Sequence, residues 1–194
     1  MSSINVRVAT PQDSPTLLEI YKPYVLNTAI TFEYTVPTIE EFTNRVTSTL
    51  ERYPYILAVQ DDTIVGYAYA SAFKGRKAYD WSVETSIYIR QGFHGRGYGK
   101  KLYQVLEGVL KEQNILNVNA CITYADTESR YWTGESIRFH ERMGYSMVGK
   151  FHQCGYKFNR WFDMVWLEKM LGEHTVPIDE IVPFSRLSKE LISF

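Results

Sequence analysis

The stretch Trp81–Leu110, WSVETSIYIRQGFHGRGYGKKLYQVLEGVL, constrains this chain more than any other segment. An apolar run from Val83 to Ile89 has strand character and enters a loop carrying Gly95, Gly97 and Gly99. A helical pattern follows at Tyr98, Leu102, Val105, Leu106, Val109 and Leu110. A strand that ends in a glycine loop and restarts as a helix offers bare backbone N–H groups and a helix N-terminus to a phosphate. Glycine serves such a loop in two ways: it permits positive φ, and it lets a ligand approach without a Cβ in the path. Residues 90–101 carry Arg90, His94, Arg96, Lys100 and Lys101 and no Asp or Glu, which suits an anionic ligand. The spacing G-x-G-x-G is not the G-x-G-x-x-G of dinucleotide folds, and Lys100-Lys101 after Gly99 is not the Lys-Ser/Thr of nucleotide hydrolases. On these residues alone, a glycine-rich turn with solvated charges stands as the alternative. Glu84, on the strand just before the loop, adds a candidate base beside the phosphate grip.

The chain of 194 residues suffices for one domain with a real core. A formal net charge of −1 provides no global field to recruit nucleic acid or an anionic membrane. Fifteen tyrosines favour a mixed sheet and a lined pocket. Cys121 and Cys154 are too few for a disulfide framework or a zinc site and read as reduced core thiols. His94, His140, His152 and His174 form no ligand cluster, so no metal is expected. No apolar run approaches the roughly 20 residues that span a bilayer, and MSSINVRVATPQD lacks a signal pattern. The expectation is a cytoplasmic protein with no membrane or nucleic-acid partner.

Ile4 to Ala9 alternates as a strand, and Thr10–Asp13 reads as a turn into a helix over 13–28 that Pro23 kinks or ends. Ile30–Pro37 is a loop with extended character. Thr38 and Glu41 have capping-box spacing for a helix to about Arg52. Residues 55–60 and 63–72 form a hairpin about Asp61-Asp62. Beyond Leu110, 117–123 is a strand, 124–134 a long polar loop, and 135–143 a short helix capped by Gly144. Residues 145–152 and 156–166 close the sheet, and 172–194 form a C-terminal extension that packs on the domain or on another subunit. The reading is one α+β domain over 1–171, a mixed, mostly antiparallel twisted sheet flanked by helices, plus that extension.

Strand, basic-G-x-G-x-G, then helix resembles the acetyl-CoA signature of the GNAT superfamily of N-acetyltransferases, and Gly134–Tyr145 (GESIRFHERMGY) resembles its later helix. Residues 69–89 (YASAFKGRKAYDWSVETSIYI) and 155–163 (GYKFNRWFD) are similar to the phosphinothricin acetyltransferase branch, which acetylates phosphinothricin, methionine sulfone or sulfoximine and similar amino acids. The resemblance covers about residues 4–168. It implies a GNAT-type acyl-CoA N-acyltransferase fold, acetyl-CoA as cosubstrate, a small-molecule amine as acceptor and a homodimer.

Carried over residue by residue, the backbone of Gly95, Arg96, Gly97, Tyr98, Gly99 and Lys100 cradles the pyrophosphate. His94 stands where the family carries a basic residue or Gln, which shifts weight to the amides and Arg96. The strand before the loop splays from its neighbour, and backbone groups of Ile87, Tyr88 and Ile89 pair with the pantetheine arm. Thr133 stands where the superfamily often has Asn, three residues before the small residue Ser136, and Arg142 either reaches toward the phosphates or is a solvated surface residue. Glu84 is the proposed base, and His140 stands where many members place a Tyr near the sulfur, either to donate to the leaving thiolate or as a hydrogen-bonded packing residue. The backbone N–H of Ile89 is the expected oxyanion donor. Lys74, Arg76 and Lys77 lie in the loop that faces the acceptor in the similar branch, with Arg76 preferred for its carboxylate. Phe32, Glu33, Tyr79 and Trp81 line the pocket, with Phe73 nearby. The implied reaction is direct acetyl transfer to the primary amine of a small amino acid. The alternatives are another amine (a polyamine, an aminoglycoside or a protein N-terminus) or a non-catalytic acyl-CoA-binding module.

Overall fold

The computed structural model describes residues 4–187; the end of the C-terminal extension, 188–194, lies outside the described residues. The described residues form seven strands: β1 (Asn5–Val8), β2 (Tyr55–Gln60), β3 (Thr63–Ala72), β4 (Ser82–Ile89), β5 (Asn117–Tyr124), β6 (Ser146–Lys157) and β7 (Arg160–Met170). Four α-helices accompany them: α1 (Ser14–Asn27), α2 (Ile39–Arg52), α3 (Tyr98–Glu112) and α4 (Glu135–Arg142). The strands make one sheet in the order β1-β2-β3-β4-β5-β7-β6, and only β4 and β5 run parallel. No helix among the described residues is long and apolar enough to cross a membrane.

Period-two alternation divides the sheet into two faces. On one face Ala68, Ala70, Val83, Val118 and Ala120 pack under Leu102, Leu106 and Leu110 of α3. On the other, Tyr55, Leu57 and Tyr67 pack under Leu17, Ile20 and Val25 of α1 and Phe42 and Val46 of α2. Glu84, Ser86 and Tyr88 share this second face and border a cavity there, with Tyr88 also against Tyr21 and Tyr24 of α1. The β4–β5 ladder has three rungs: Ser82 with Asn117, Val83 with Val118, and Glu84 with Asn119. Beyond Glu84, β4 stays paired with β3 up to Ile89, and β5 stays paired with β7 up to Tyr124. The two halves of the sheet therefore part, leaving a wedge between Thr85–Ile89 and Ala120–Tyr124.

Local details depart from the expectations. Helix α1 fills its expected span, and Pro23 does not end it before Asn27. Its C-terminal carbonyls are taken up from outside, with Thr28 Oγ1 donating to Tyr24 C=O and Lys157 Nζ to Val25 C=O. The closing strands also differ. Residues 153–155 are not a turn but a bulge inside β6, with Gln153 at φ 47°, and the hairpin turns at Phe158-Asn159, both at positive φ. A Phe-Asn turn lacks the Asn-Gly signature, which is why its position was not legible. Cys121 and Cys154 are free, as read, but neither thiol is a core group.

Candidate active site

The wedge is lined by Thr85, Ile87, Cys121 and Ile122 from the strands and by Trp132 to Ser136 and His140 from the α4 side. Backbone groups on successive strand residues point to opposite sides. Arg90 N–H bonds Val65 C=O on β3, and Ile89 N–H instead meets the Tyr24 phenol at 3.3 Å. Ile89 and Ile87 thus face the wedge and Tyr88 faces β3. Of the three residues expected to hold a pantetheine arm, Ile87 has the right orientation without a competitor. Tyr24 Oη also donates to Ile89 C=O at 2.5 Å and lies 2.8 Å from His94 Nε2, so one phenol occupies both Ile89 groups and ties the glycine loop to α1. The Tyr88 side chain, not its backbone, contributes to the site, as a wall of both wedge and cavity.

At the loop, Gly92, Gly95 and Gly97 have φ of 81°, 75° and 88°, and a Cβ on any of them would meet nothing within 4 Å. Positive φ requires glycine here, and the empty space above is room for a ligand. Gly97 is the N-cap of α3 and has no side-chain cap; Lys101 N–H is taken by Gly97 C=O, so the first-turn amides of Tyr98, Gly99 and Lys100 precede the helical ladder. Open space beside first-turn amides is an arrangement that can accept an anion. Two members of the expected set serve differently. Tyr98 is buried and bonds Gln60, which leaves only its amide at the loop. Gly99 is small because a Cβ would sit 3.1 Å from Phe139 Cε2, so it lets α4 pack on α3. Arg96 lies over the Phe93 ring at 5.1 Å.

Glu84 stands where the wedge begins and opens on a cavity of about 460 Å3 on the α1–α2 face. Burial raises its pKa from the ordinary carboxylate value, and the charge of Lys74 opposes that shift in part. A carboxylate poised in this way is suited to base work near neutrality. The cavity walls are aromatic: Tyr21 meets Tyr88 edge-on at 4.9 Å, and Tyr55 stacks on Tyr69 at 4.8 Å. Phe32 and Glu33 line it as expected, and Cys121 borders both cavity and wedge. Phe32 fits because Gly155 has no side chain; a Cβ there would lie 2.3 Å from its ring. Lys157, 3% exposed, donates to the carbonyls of Val25, Thr28 and Thr31 and so fixes the loop that delivers Phe32 and Glu33.

The structure does not bring the remaining expected residues into the cavity. Lys74 lies over Phe73 and Trp166, with its ammonium 4.9 Å and 5.5 Å from their ring centres. Arg76 and Tyr79 are exposed at the turn beyond β3. Trp81 donates to Asp179 C=O and holds the C-terminal segment instead of a substrate. Thr133 reaches the rim of the wedge, but Arg142 is exposed on the last turn of α4, away from the turn that borders the wedge.

His140 needs a chemical correction. It borders the wedge but is 3% exposed. Its Nδ1 donates to Ser136 C=O at 2.7 Å, which makes Nε2 the acceptor for the Tyr103 hydroxyl at 2.8 Å. Burial lowers its pKa to about 4. A neutral imidazole with its one N–H engaged has no proton for a thiolate. Its place is in a buried polar net with Tyr103, Thr85 and Tyr145 at the root of the wedge. Sequence reasoning also missed Tyr24, Lys157 and Arg45, because each acts through a contact more than ten residues away or lies on a helix face with no motif.

The acetyltransferase (GNAT) domain model matches residues 6–166. The chain is 34% identical over 174 residues to phosphinothricin N-acetyltransferase of Streptomyces coelicolor, covering 88% of this chain and 98% of that one. It is 26% identical over 175 residues to the L-methionine sulfoximine/L-methionine sulfone acetyltransferase of Salmonella typhimurium, covering 90% and 98%. Among solved structures, a GNAT superfamily phosphinothricin acetyltransferase from Sinorhizobium meliloti in complex with AcCoA superposes with a TM-score of 0.85 at 33% identity, covering 95% of this chain and 98% of that one.

Proposed function

This chain belongs to the GNAT acetyltransferase family and is an acetyl-CoA-dependent N-acetyltransferase; we propose that its acceptor is the primary amine of a small amino acid or analogue, of the phosphinothricin or methionine sulfone type, and that Glu84 is the base. The observation that carries the reading is the position of Glu84, at the last β4–β5 rung, where the wedge and the aromatic cavity meet. The relatives are named for phosphinothricin and for methionine sulfoximine and sulfone, which supports a small, polar amino-acid acceptor.

Acetyl-CoA, when bound, supplies the thioester carbonyl that the amine attacks. The amides of Gly95 to Lys100 hold its diphosphate, and the Ile87 backbone in the wedge directs the arm toward Glu84. An ammonium has no lone pair, so Glu84 takes one proton from the acceptor; as the C–N bond forms the C–S bond breaks, and coenzyme A leaves as its thiol, the thiolate being balanced by the second proton that the acceptor nitrogen loses. The aromatic walls exclude water and set the amine against the carboxylate. Direct transfer by a carboxylate base calls for no metal and no covalent enzyme intermediate. Cys121, although near, is a poor nucleophile, because desolvation between the wedge and cavity walls, and next the charge of Glu84, push its thiol pKa up to about 12.

Residues 1–171 make up the catalytic domain in this reading. The described part of the extension, residues 172–187, is a strap: Phe184 is buried, and Val182 exchanges hydrogen bonds with Gln113. The chain forms a homodimer through the outer edge of the sheet, where Met147, Val148, Phe151, Tyr156 and Trp161 are exposed on the β6–β7 hairpin. Its free thiols suit the reducing cytoplasm, where acetyl-CoA is available.

The test is to incubate the protein with acetyl-CoA and methionine sulfone, phosphinothricin, a polyamine and a panel of amino acids, and to measure free thiol. Turnover with the amino-acid analogues is expected. Acetyl-CoA binding with no turnover on any amine would favour a non-catalytic module, and turnover on the polyamine alone would reject the acceptor class.

A further inference from the structure

The acceptor cavity has one cationic wall residue to which the mechanism above gives no task. The capping box at Thr38 and Glu41 starts α2 so that Phe42, Arg45 and Thr49, three and four residues apart, share the face lining the cavity. Arg45 Nη1 donates to Glu33 Oε1 at 2.7 Å, and Glu33 lines the same cavity. That bond uses one of the five N–H donors of the guanidinium. The pair is partly exposed, with side chains 48% and 34% accessible, and a pair of this kind exchanges partners at little cost. The Tyr69 phenol feels the charges of Glu84, Arg45 and Glu33 alike, so the base and the ion pair belong to one compartment. Lys74, whose charge reaches Glu84, lies over Phe73 and Trp166 and does not line the cavity, and Arg76 stands in the exposed turn beyond β3.

We propose that Arg45 is the specificity-determining residue that receives the acceptor's carboxylate, and that Glu33 is a stand-in carboxylate which holds the guanidinium until the acceptor displaces it. The inference rests on the reading of the chain as an amino-acid N-acetyltransferase. A small amino acid then spans the cavity, with its carboxylate on Arg45, its amine at Glu84, and its side chain among Phe32 and the tyrosines. An amine without the carboxylate leaves Arg45 on Glu33 and gains nothing from it.

Calorimetry on the full-length enzyme loaded with coenzyme A tests this with two ligands: methionine sulfone, and the amine left when its carboxylate is removed. Arg45→Gln is expected to weaken methionine sulfone about tenfold or more, the value of a charge-assisted contact, while the amine changes less than about twofold. Arg45→Lys falls between wild type and Arg45→Gln, because one ammonium cannot reproduce the fork. Glu33→Gln removes the competitor and tightens methionine sulfone binding; a purely structural pair predicts the opposite sign. Equal effects of Arg45→Gln on both ligands, no effect on either, no binding of methionine sulfone by the wild type, or a selective loss that follows Arg76→Gln instead would each overturn the proposal. Thiol release by the wild type is scored separately. Its absence alongside the selective binding loss would contradict the catalytic reading while leaving the carboxylate clamp in place.

Discussion

Glu84 and Asn119 form the last rung between β4 and β5, and the sheet opens immediately beyond them. The Asn119 amide donates to Ser82 Oγ and Val83 C=O, not to the carboxylate, so Glu84 remains free to face the cavity. A carboxylate held there without a hydrogen-bonding partner is destabilising. Burial raises its folded-state pKa above the unfolded value of 4.5, so the folded state keeps a proton that the unfolded chain has lost. Stability therefore falls as pH rises from 4.5 through the raised value, and it stays lower at neutral pH. Glu84→Gln is expected to melt higher than wild type at pH 7.5, with the difference vanishing below about pH 4. A lower melting temperature for the variant at pH 7.5 would assign Glu84 a supporting contact instead.

The glycines of the loop separate by role. Gly97→Val places a β-branched side chain at φ 88° in open space, and it should abolish acetyl-CoA binding while costing about 1–2 kcal/mol from the left-handed backbone. Gly99→Val pushes into Phe139 and should cost about 1–3 kcal/mol by overpacking. Denaturant unfolding and acetyl-CoA calorimetry on both variants give the check. Unchanged affinity in Gly97→Val would remove the loop from the cofactor site.

His140 should remain neutral far below its ordinary titration range. With burial holding its pKa near 4, nitrogen NMR should find one Nδ1–H tautomer from pH 8 down to about 5. Because the folded pKa is depressed, its contribution is complete above 6.5 and is lost as pH falls toward 4. Titration near 6.5 in the folded protein would restore His140 as a proton donor.

Lys157 connects the β6–β7 hairpin to the acceptor loop. Lys157→Met leaves three carbonyls, of Val25, Thr28 and Thr31, without their donor, and should cost about 2–4 kcal/mol in urea unfolding. The acceptor KM should rise more than the acetyl-CoA KM, because Phe32 and Glu33 lose their anchor. Equal shifts in both would place the effect on the fold at large.

The sequence carried most of the fold, because its signals are local. The Asp61-Asp62 turn, the Thr38–Glu41 capping box, the Gly144 cap and the strand–loop–helix unit each specify structure within a few residues. The glycine loop and Glu84 were legible for the same reason. The contents of the cavity were not. Lys157 reaches back more than 120 residues to α1, Tyr24 reaches 65 residues forward to Ile89, and Arg45 pairs across a loop with Glu33. Nothing in a run such as RKAYDW distinguishes a cation facing a substrate from one facing solvent; the turn geometry of residues 73–80 decides that, and it leaves Arg76 outside. For His140 the sequence leaves a proton donor and a hydrogen-bonded packing residue side by side, because a histidine in sequence does not reveal that Ser136 C=O and Tyr103 fix its tautomer.

The central claim is that Glu84 serves chemistry and not cofactor binding. Steady-state acetylation of methionine sulfone at pH 7.5, measured with acetyl-CoA calorimetry on the same Glu84→Gln sample, tests it most directly. The expected result is a fall in kcat of about 100-fold or more, with the acid limb of the wild-type pH profile absent and acetyl-CoA affinity within about threefold. Turnover that survives the substitution, or turnover and acetyl-CoA affinity that fall together, would contradict the account.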